Sequence, residues 1–217
     1  MAEPGGFAFD DVVVVRGERR AVDGFTAEIS SGGITVVFGP SGSGKSTLLR
    51  LCNRLEVPSS GRVLLDGDDL ARLDPLALRR RVGMVFQRPT PFPGTVRDNL
   101  LTASPAASEH ELETALMRAA LDATWLDRDA KALSGGEAQR VCVVRTLVTD
   151  PDVLLLDEPT SALDEQATFV LEKAVCELTR LDISAIWVTH DAAQLRRVAD
   201  RVVRIERGRY AGSGEPS

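Results

Sequence analysis

The sequence predicts an α/β protein with a largely parallel β-sheet, an N-terminal antiparallel β patch and an inserted helical subdomain. Short apolar runs of strand length alternate with segments of helical periodicity over most of the 217 residues. The first 30 residues instead hold closely spaced short strands, and one long internal stretch has no strand pattern at all. A composition of 43% hydrophobic and 27% charged residues is typical of a folded globular protein with one large core.

The N-terminal segments account for the antiparallel patch. Residues 7–9, 12–15 and 24–29 have the composition of strands, and the Arg-Gly-Glu sequence at residues 16–18 is turn-like. Strands this close in sequence pair as hairpins. We therefore expect an antiparallel patch in front of the main sheet.

The main sheet is predicted from buried apolar runs. Residues 34–38 form a strand that leads into a glycine-rich loop, and residues 46–55 form the helix after that loop. Further core strands are predicted at residues 62–65, 82–86, 153–156, 183–188 and 202–206.

The strand pattern disappears between residues 88 and 149. This stretch opens with a Pro/Gly-rich segment at residues 88–94 and is rich in Ala, Leu and Glu from about residue 108 to residue 120, which predicts helix. We expect a core formed by residues 1–89 and 150–217 and a helical subdomain formed by residues 90–149.

Charge and cysteine usage exclude several classes of protein. The formal net charge of -6 argues against a nucleic-acid partner, because a duplex-binding protein normally carries a basic stripe. Cys52, Cys142 and Cys176 lack CxxC spacing and are expected to be reduced thiols. Neither a secretory signal nor a membrane-spanning apolar run is recognisable, so we expect other chains to supply any membrane crossing.

Residues 39–46, Gly-Pro-Ser-Gly-Ser-Gly-Lys-Ser, match the P-loop pattern GxxxxGK[ST] between a predicted strand and a predicted helix. Backbone N–H groups of such a loop surround phosphate oxygens, and the helix N-terminus adds partial positive charge. Lys45 is expected to bridge the β- and γ-phosphates, Ser46 to ligate Mg²⁺ and Thr47 to reach an inner phosphate. The flanking elements disfavour the alternative, a glycine-rich turn that binds nothing. The predicted nucleotide-binding residues here are Gly39, Pro40, Ser41, Gly42, Ser43, Gly44, Lys45, Ser46 and Thr47.

The strand at residues 153–156 ends in two carboxylates. Asp157 is placed to hold Mg²⁺ through water, and Glu158 to polarise the attacking water. Alone, such a pair is more often a solvated loop or a helix cap. Together with the P-loop it indicates a RecA-like P-loop nucleotidase, a class that includes kinases, GTPases and helicases.

Residues 133–140, Leu-Ser-Gly-Gly-Glu-Ala-Gln-Arg, contain a serine N-cap, two small residues that permit close approach and the positive end of a helix. They form either an ordinary capped helix or a second anion site. The stretch resembles the LSGGQ signature of ABC ATPases, with Glu137 where Gln is usual.

Three further segments resemble ABC ATPase motifs and occur in the family's order. Gln87 matches the Q-loop glutamine, residues 161–164 match the D-loop that ends at Asp164, and His190 matches the switch histidine. A lone histidine is more often structural than catalytic, so the ordered set carries this interpretation.

The resemblance implies an ATP-hydrolysing motor subunit of an ABC transporter that uses ATP and Mg²⁺. The implied catalytic residues are Lys45, Gln87, Glu158 and His190, and the implied metal-binding residues are Ser46, Gln87 and Asp157. The implied partners are a second copy of the chain and membrane-spanning permease subunits, at the cytoplasmic face of the cell membrane. In the implied head-to-tail dimer, Ser134 and Gly136 of one subunit would contact the ATP held by the other, and Gly135 and Asp164 are further implied nucleotide-binding residues.

Two residues leave alternatives open. The family commonly stacks an aromatic side chain on adenine where this chain has Arg16, which either stacks through its guanidinium or is a solvent-facing turn residue. Phe92 is either part of the surface at residues 87–99 that receives the membrane subunit or a cap on the local core.

The cargo is not determined by these motifs. Residues 82–93 resemble the Q-loop region of phosphate-uptake ATPases. Residues 161–165 and 187–191 resemble small ATPases of putative iron or metal exporters and their plant relatives linked to aluminium tolerance, the group that the chain length favours. A non-transport ABC ATPase of DNA repair or translation is the alternative, although neither a coiled-coil insertion nor zinc cysteines are recognisable.

Overall fold

The structure is a computed structural model that describes residues 5–181 and 183–216. Its strands in chain order are β1 (Phe7–Arg16), β2 (Arg19–Ile29), β3 (Ile34–Phe38), β4 (Ser60–Leu65), β5 (Asp68–Asp69), β6 (Val82–Val85), β7 (Val153–Asp157), β8 (Ser184–Thr189), β9 (Arg201–Glu206) and β10 (Arg209–Gly214). Its α-helices are α1 (Lys45–Cys52), α2 (Pro75–Arg81), α3 (Val96–Ala103), α4 (Glu109–Arg118), α5 (Gly135–Leu147), α6 (Glu165–Thr179) and α7 (Ala192–Val198).

The N-terminal sheet has the order β2-β1-β4-β5 and is antiparallel throughout, which confirms the predicted β patch. The two segments predicted at residues 7–9 and 12–15 form one strand, β1, whose pairing with β2 shifts register between Phe9 and Val12. Asp11 lies within this irregularity with φ of 47°.

The prediction of residues 62–65 as a strand of the main core was wrong in its placement. The strand exists as β4, but it pairs with β1 in the antiparallel sheet. A short apolar run such as Val63 to Leu65 fits either sheet, because its neighbours along the chain do not specify its pairing partner.

The main sheet has the order β10-β9-β3-β8-β7-β6, and every pairing from β9 to β6 is parallel. All residues of β7 and β8 are buried, as expected for strands covered on both faces. One core lies between this sheet and the helices α3 to α7, and a second lies between the two sheets and α1. The parallel strands bring the carboxyl ends of β3, β7 and β8 to one edge.

Residues 96–147 hold the helices α3, α4 and α5. Helix α4 occupies the predicted helical segment, and α3 begins at a capping box formed by Thr95 and Asp98 directly after the Pro/Gly-rich stretch. Helix α5 contacts α3, α4 and α6 as well as strand β6. A Cβ atom at Gly83 of β6 would lie 2.2 Å from Cγ2 of Thr146, so glycine permits the close approach of α5 to the sheet.

Within the described residues, no helix combines the length and the apolar character that a membrane crossing requires.

Candidate nucleotide-binding site

The loop between β3 and α1 depends on two glycines. Gly44 precedes α1 with φ of 108°, and a Cβ atom there would lie 2.4 Å from the carbonyl oxygen of Ala21. A Cβ atom at Gly39 would lie 2.2 Å from the carbonyl oxygen of Ile205. The loop therefore runs against β2 and β9 at distances that a larger residue would not permit.

Lys45 extends along the inside of this loop. Its Nζ atom donates hydrogen bonds to the carbonyl oxygens of Gly39 (2.9 Å) and Pro40 (3.0 Å), and the side chain is only 4% exposed. Burial lowers the pKa of Lys45, while the carboxylates of Glu158 and Asp157 oppose that shift. The ammonium is held where the loop and the acidic strand end meet.

Asp157, the last residue of β7, faces the start of α1. Ser46 Oγ donates a hydrogen bond of 2.6 Å to Asp157 Oδ1, and an Arg50 nitrogen lies 3.9 Å from the other carboxylate oxygen. Burial raises the pKa of Asp157, and the hydrogen bond from Ser46 partly offsets this effect. Hydroxyl and carboxylate oxygens are the ligands that Mg²⁺ prefers, so these two residues fit the ion.

Three of the predicted catalytic side chains lie close to the Glu158 carboxylate. Its Oε1 atom lies 3.8 Å from Lys45 Nζ and 3.3 Å from His190 Nδ1, and its Oε2 atom lies 3.5 Å from Gln87 Nε2. The backbone at Glu158 has φ of 44°, and its N–H group donates to the carbonyl oxygen of Val188. Residues that follow β6 and β8, together with the lysine of the P-loop, thus converge on the carboxylate that follows β7.

A cavity of about 380 Å³ lies beside this carboxylate. Six P-loop and α1 residues line it, namely Ser41, Gly42, Gly44, Lys45, Ser46 and Thr47. Gln87 and Glu158 line its acidic end, and Arg16, Arg19 and Ala21 line the side formed by β1 and β2. Gly39, Pro40 and Ser43 complete the loop without lining this cavity, and Ser43 Oγ is buried without a hydrogen bond to the described residues.

Two arginines of the N-terminal hairpin reach the cavity. Arg16 forms an ion pair with Glu56 and keeps about half of its side chain exposed. Arg19 donates a hydrogen bond of 3.0 Å to the carbonyl oxygen of Gly42 in the P-loop. No sequence pattern identifies Arg19, because an arginine beside a turn carries no local signal of what the folded hairpin will contact.

The signature residues lie outside this cavity. Ser134 caps α5 by accepting a hydrogen bond from the Glu137 N–H group, and the Glu137 carboxylate accepts one from the Ser134 N–H group. A Cβ atom at Gly136 would lie 2.8 Å from Ala167 of α6, whereas one at Gly135 would meet nothing within 4 Å. Asp164 caps α6 and is likewise absent from the cavity lining.

The single chain therefore brings the predicted residues together in two groups. In the first group, Lys45, Ser46, Gln87 and Glu158 line the cavity, and Asp157 and His190 contact Ser46 and Glu158 respectively. The second group, Ser134, Gly135, Gly136 and Asp164, lies at the starts of α5 and α6. A parallel sheet with a P-loop after β3 and carboxylates after β7 defines a P-loop nucleotidase.

Comparison with known proteins narrows this class. The sequence model of the family described as ABC transporter matches residues 22–161, more than half of the chain. The chain belongs to the ABC transporter family and has its ATPase fold. It is an ABC ATPase.

Individual relatives agree with the family assignment. The chain is 44% identical over 209 residues to Protein STAR1 of Oryza sativa subsp. japonica, covering 93% of this chain and 60% of that protein. It is 40% identical over 222 residues to the phosphate import ATP-binding protein PstB of Tropheryma whipplei (strain Twist), covering 94% and 86% of the two chains. The structure of cbiO1 from Clostridium perfringens, part of the ABC transporter complex cbiONQ, superposes with a TM-score of 0.89 at 28% identity, covering 100% of this chain and 90% of that one.

Proposed function

We propose that the chain is the ATP-hydrolysing motor subunit of an ABC transporter, and that it works as a head-to-tail dimer coupled to separate membrane subunits. The convergence of Lys45, Gln87 and His190 on Glu158 beside the P-loop cavity is the observation that carries this proposal. ATP would lie in that cavity with its phosphates along the P-loop.

In this proposal Glu158 and the residues around it have separate roles in ATP hydrolysis. Lys45 balances negative charge at the β- and γ-phosphates, and Glu158 accepts a proton from the attacking water. His190, 3.3 Å from Glu158, and Gln87 orient that carboxylate and the water. Ser46 and Asp157 would hold Mg²⁺, which neutralises phosphate charge when bound, and we include Gln87 as a third ligand.

The exposed signature supports the dimer. Gly135 is exposed and has open space around it at the start of the capped helix α5, within the signature motif. We propose that Ser134, Gly135, Gly136 and Asp164 contact the nucleotide held by a second copy. The proposed boundaries are an ATP-binding core of residues 1–89 and 150–217 and a helical subdomain of residues 90–149, with the signature in the second unit.

Arg16 is proposed to contact the base of the nucleotide. Its position on the cavity wall supports this role, and its ion pair with Glu56 restricts where the guanidinium plane can lie. A planar guanidinium can stack on a purine where the family commonly has an aromatic ring.

We propose that the membrane subunit docks on the surface at residues 87–99, at the cytoplasmic face of the membrane. Phe92 is 45% exposed there, with the Arg145 guanidinium 4.4 Å from its ring centre. The cargo proposed is a metal ion for export or phosphate for uptake, and the likeness to PstB supports the second. ATPase stimulation of the subunit reconstituted with its membrane partner, by inorganic phosphate or by metal ions, would decide between them.

Glu158→Gln tests the proposed mechanism. We expect this variant to bind Mg-ATP, to trap a dimer seen by light scattering and to lose phosphate release by about 100-fold or more, because the proton acceptor is gone. Glu177→Gln is the matched control, since Glu177 is an exposed carboxylate on α6, and it should behave as wild type. A Glu158→Gln protein that binds ATP but stays monomeric would contradict ATP-driven dimerisation of the isolated subunit.

A further inference from the structure

A buried polar network lies behind the catalytic carboxylate, away from the cavity. Gln194 of α7 and Glu172 of α6 are 3% and 4% exposed, and Trp187 of β8 is fully buried. Polar side chains buried this deeply cost free energy unless each of their groups finds a partner. The contacts of Gln194 are therefore informative.

Both polar atoms of the Gln194 side-chain amide form hydrogen bonds. Its Oε1 atom accepts a hydrogen bond of 3.2 Å from Trp187 Nε1. Its Nε2 atom donates two, to Thr160 Oγ1 at 2.8 Å and to Glu172 Oε1 at 2.9 Å. These partners fix the orientation of the amide, because Trp187 can only donate and the carboxylate accepts.

Glu172 is in turn held by Arg197. The Arg197 guanidinium donates to both carboxylate oxygens, at 2.9 Å and 2.7 Å, from one turn further along α7. This bidentate pair anchors the network to a charged contact between α6 and α7. Gln194 is consequently a fixed point rather than a mobile side chain.

The network joins the two chain segments that carry Glu158 and His190. Thr160 follows Glu158 by two residues, and the Ser161 N–H group of the same turn donates to the Glu158 carbonyl oxygen. Trp187 precedes His190 by three residues on β8, and α7 begins directly after His190 with Asp191 as its cap. One amide thus contacts the turn after β7, the strand β8 and the helix α6.

We propose that Gln194 is a positioning residue that sets the distance between Glu158 and His190. The hydrogen bond that it donates to Thr160 holds the turn after Glu158, and the bond that it accepts from Trp187 holds the strand that ends before His190. Its second donated bond, to Glu172, ties the amide to α6. This inference rests on the proposed function, in which those two residues act together on ATP. It adds a determinant that no motif of the sequence identified.

A purely structural role for Gln194 predicts a different result. It would lower the free energy of unfolding without altering the Glu158–His190 contact in molecules that remain folded. The chain offers a direct probe of that contact, because it contains only two histidines. The second, His110, is exposed on α4 and serves as an internal reference.

The first measurement is an imidazole NMR spectrum of the full chain. Glu158→Gln defines the His190 signals when the carboxylate contact is altered, and His110→Gln assigns the two rings. We expect Gln194→Leu and Thr160→Val to move the His190 signals toward their positions in Glu158→Gln while the His110 signals stay in place. His190 signals that coincide with those of wild type in both folded variants would overturn the proposal, whatever the ATPase activity.

The second measurement is steady-state ATP hydrolysis. We expect kcat of Gln194→Leu to fall about 10-fold with KM for ATP within about 2-fold of wild type, because a misplaced Glu158 weakens the hydrolytic step without changing the P-loop. Arg196→Leu, on the exposed side of the same helix, is the control and should retain wild-type kcat. If wild type hydrolyses ATP and Gln194→Leu has the same kcat, the positioning role is contradicted. If wild type itself shows no turnover, only the proposed function is contradicted.

A charge-preserving exchange completes the test. The double variant Glu172→Gln with Gln194→Glu moves the carboxylate from position 172 on α6 to position 194 on α7. It still offers a hydrogen-bond acceptor to Trp187 and to Arg197. We expect it to recover a large part of the kcat and of the His190 signal positions that either single exchange loses. Non-recovery in a folded double variant, together with unaltered His190 signals in Gln194→Leu, would assign these residues to folding only.

Discussion

At the scale of single residues, Glu137 shows how one side chain serves both a helix and a motif. The Ser134 N–H group donates to its carboxylate, and the Arg128 guanidinium lies 2.9 Å from the same group. These contacts complete the capping box of α5, and the hydrogen bonds from Ser134 lower the pKa of Glu137. The departure from the usual signature glutamine therefore has a local structural reason.

The lowered pKa of Glu137 predicts a pH dependence of stability. A carboxylate whose folded pKa lies below its unfolded value of 4.5 stabilises the protein fully above that pH, and this contribution is lost as the pH falls through the folded pKa. We expect Glu137→Gln to be less stable than wild type by about 0.5 kcal/mol at pH 7, since solvent screens the partly exposed group.

Urea unfolding of both proteins at pH 7 and near pH 3.5 measures this effect. The difference between them should shrink toward zero at the lower pH, because the wild-type carboxylate is then increasingly protonated. A difference that stays constant between the two pH values would show that ionisation of Glu137 contributes nothing to the cap.

At the scale of elements, the contact of α5 with β6 fixes the helical segment against the sheet. Gly83 provides the space for the Thr146 side chain, whose hydroxyl donates to the Cys142 carbonyl oxygen within α5. Because α5 begins at the signature, this contact determines where the signature lies relative to the P-loop.

Gly83→Ala should destabilise the protein by about 1–3 kcal/mol, because the new methyl group would lie 2.2 Å from Thr146 Cγ2. Thr146→Ser removes that Cγ2 atom and keeps the hydroxyl. The double variant should therefore recover at least about 1 kcal/mol relative to the sum of the single effects, measured by urea unfolding. Gly214→Ala, which has open space around it, is the control, and strict additivity in the pair would refute the steric explanation.

At the scale of the whole molecule, the two groups of functional residues are separated within one chain. The P-loop residues line a cavity together with Gln87 and Glu158. By contrast, a Cβ atom added at Gly135, at the start of α5, would have no neighbour within 4 Å. Gly135 is open in the single chain and would be covered in the proposed dimer, so a substitution there can distinguish folding from assembly.

Gly135→Val makes that distinction. We expect thermal stability and Mg-ATP binding close to wild type, since the side chain enters open space, but loss of the ATP-driven dimer and at least a 10-fold loss of ATP hydrolysis. Gly214→Val adds the same group at a distant open position and should leave both intact. Wild-type dimerisation by Gly135→Val would show that the signature face is not part of the interface.

The sequence by itself determined the features that depend on neighbouring residues. The P-loop, the carboxylates after β7, the serine cap of α5 and the strand at residues 34–38 are each written in a few consecutive residues, whose chemistry and backbone freedom suffice to predict them. The family followed from the order of those motifs, and the antiparallel patch followed from closely spaced strands.

Only the tertiary structure decided which distant residues meet. Strand β4 lies in the antiparallel sheet, where it pairs with β1, some fifty positions earlier in the chain. No local sequence pattern records a pairing over that distance. Arg19 reached the P-loop, and Gln194 joined the turn after Glu158 to the strand before His190, through contacts between separate elements. The physical reason is that parallel strands bring their carboxyl ends to one edge, where side chains remote in sequence become neighbours.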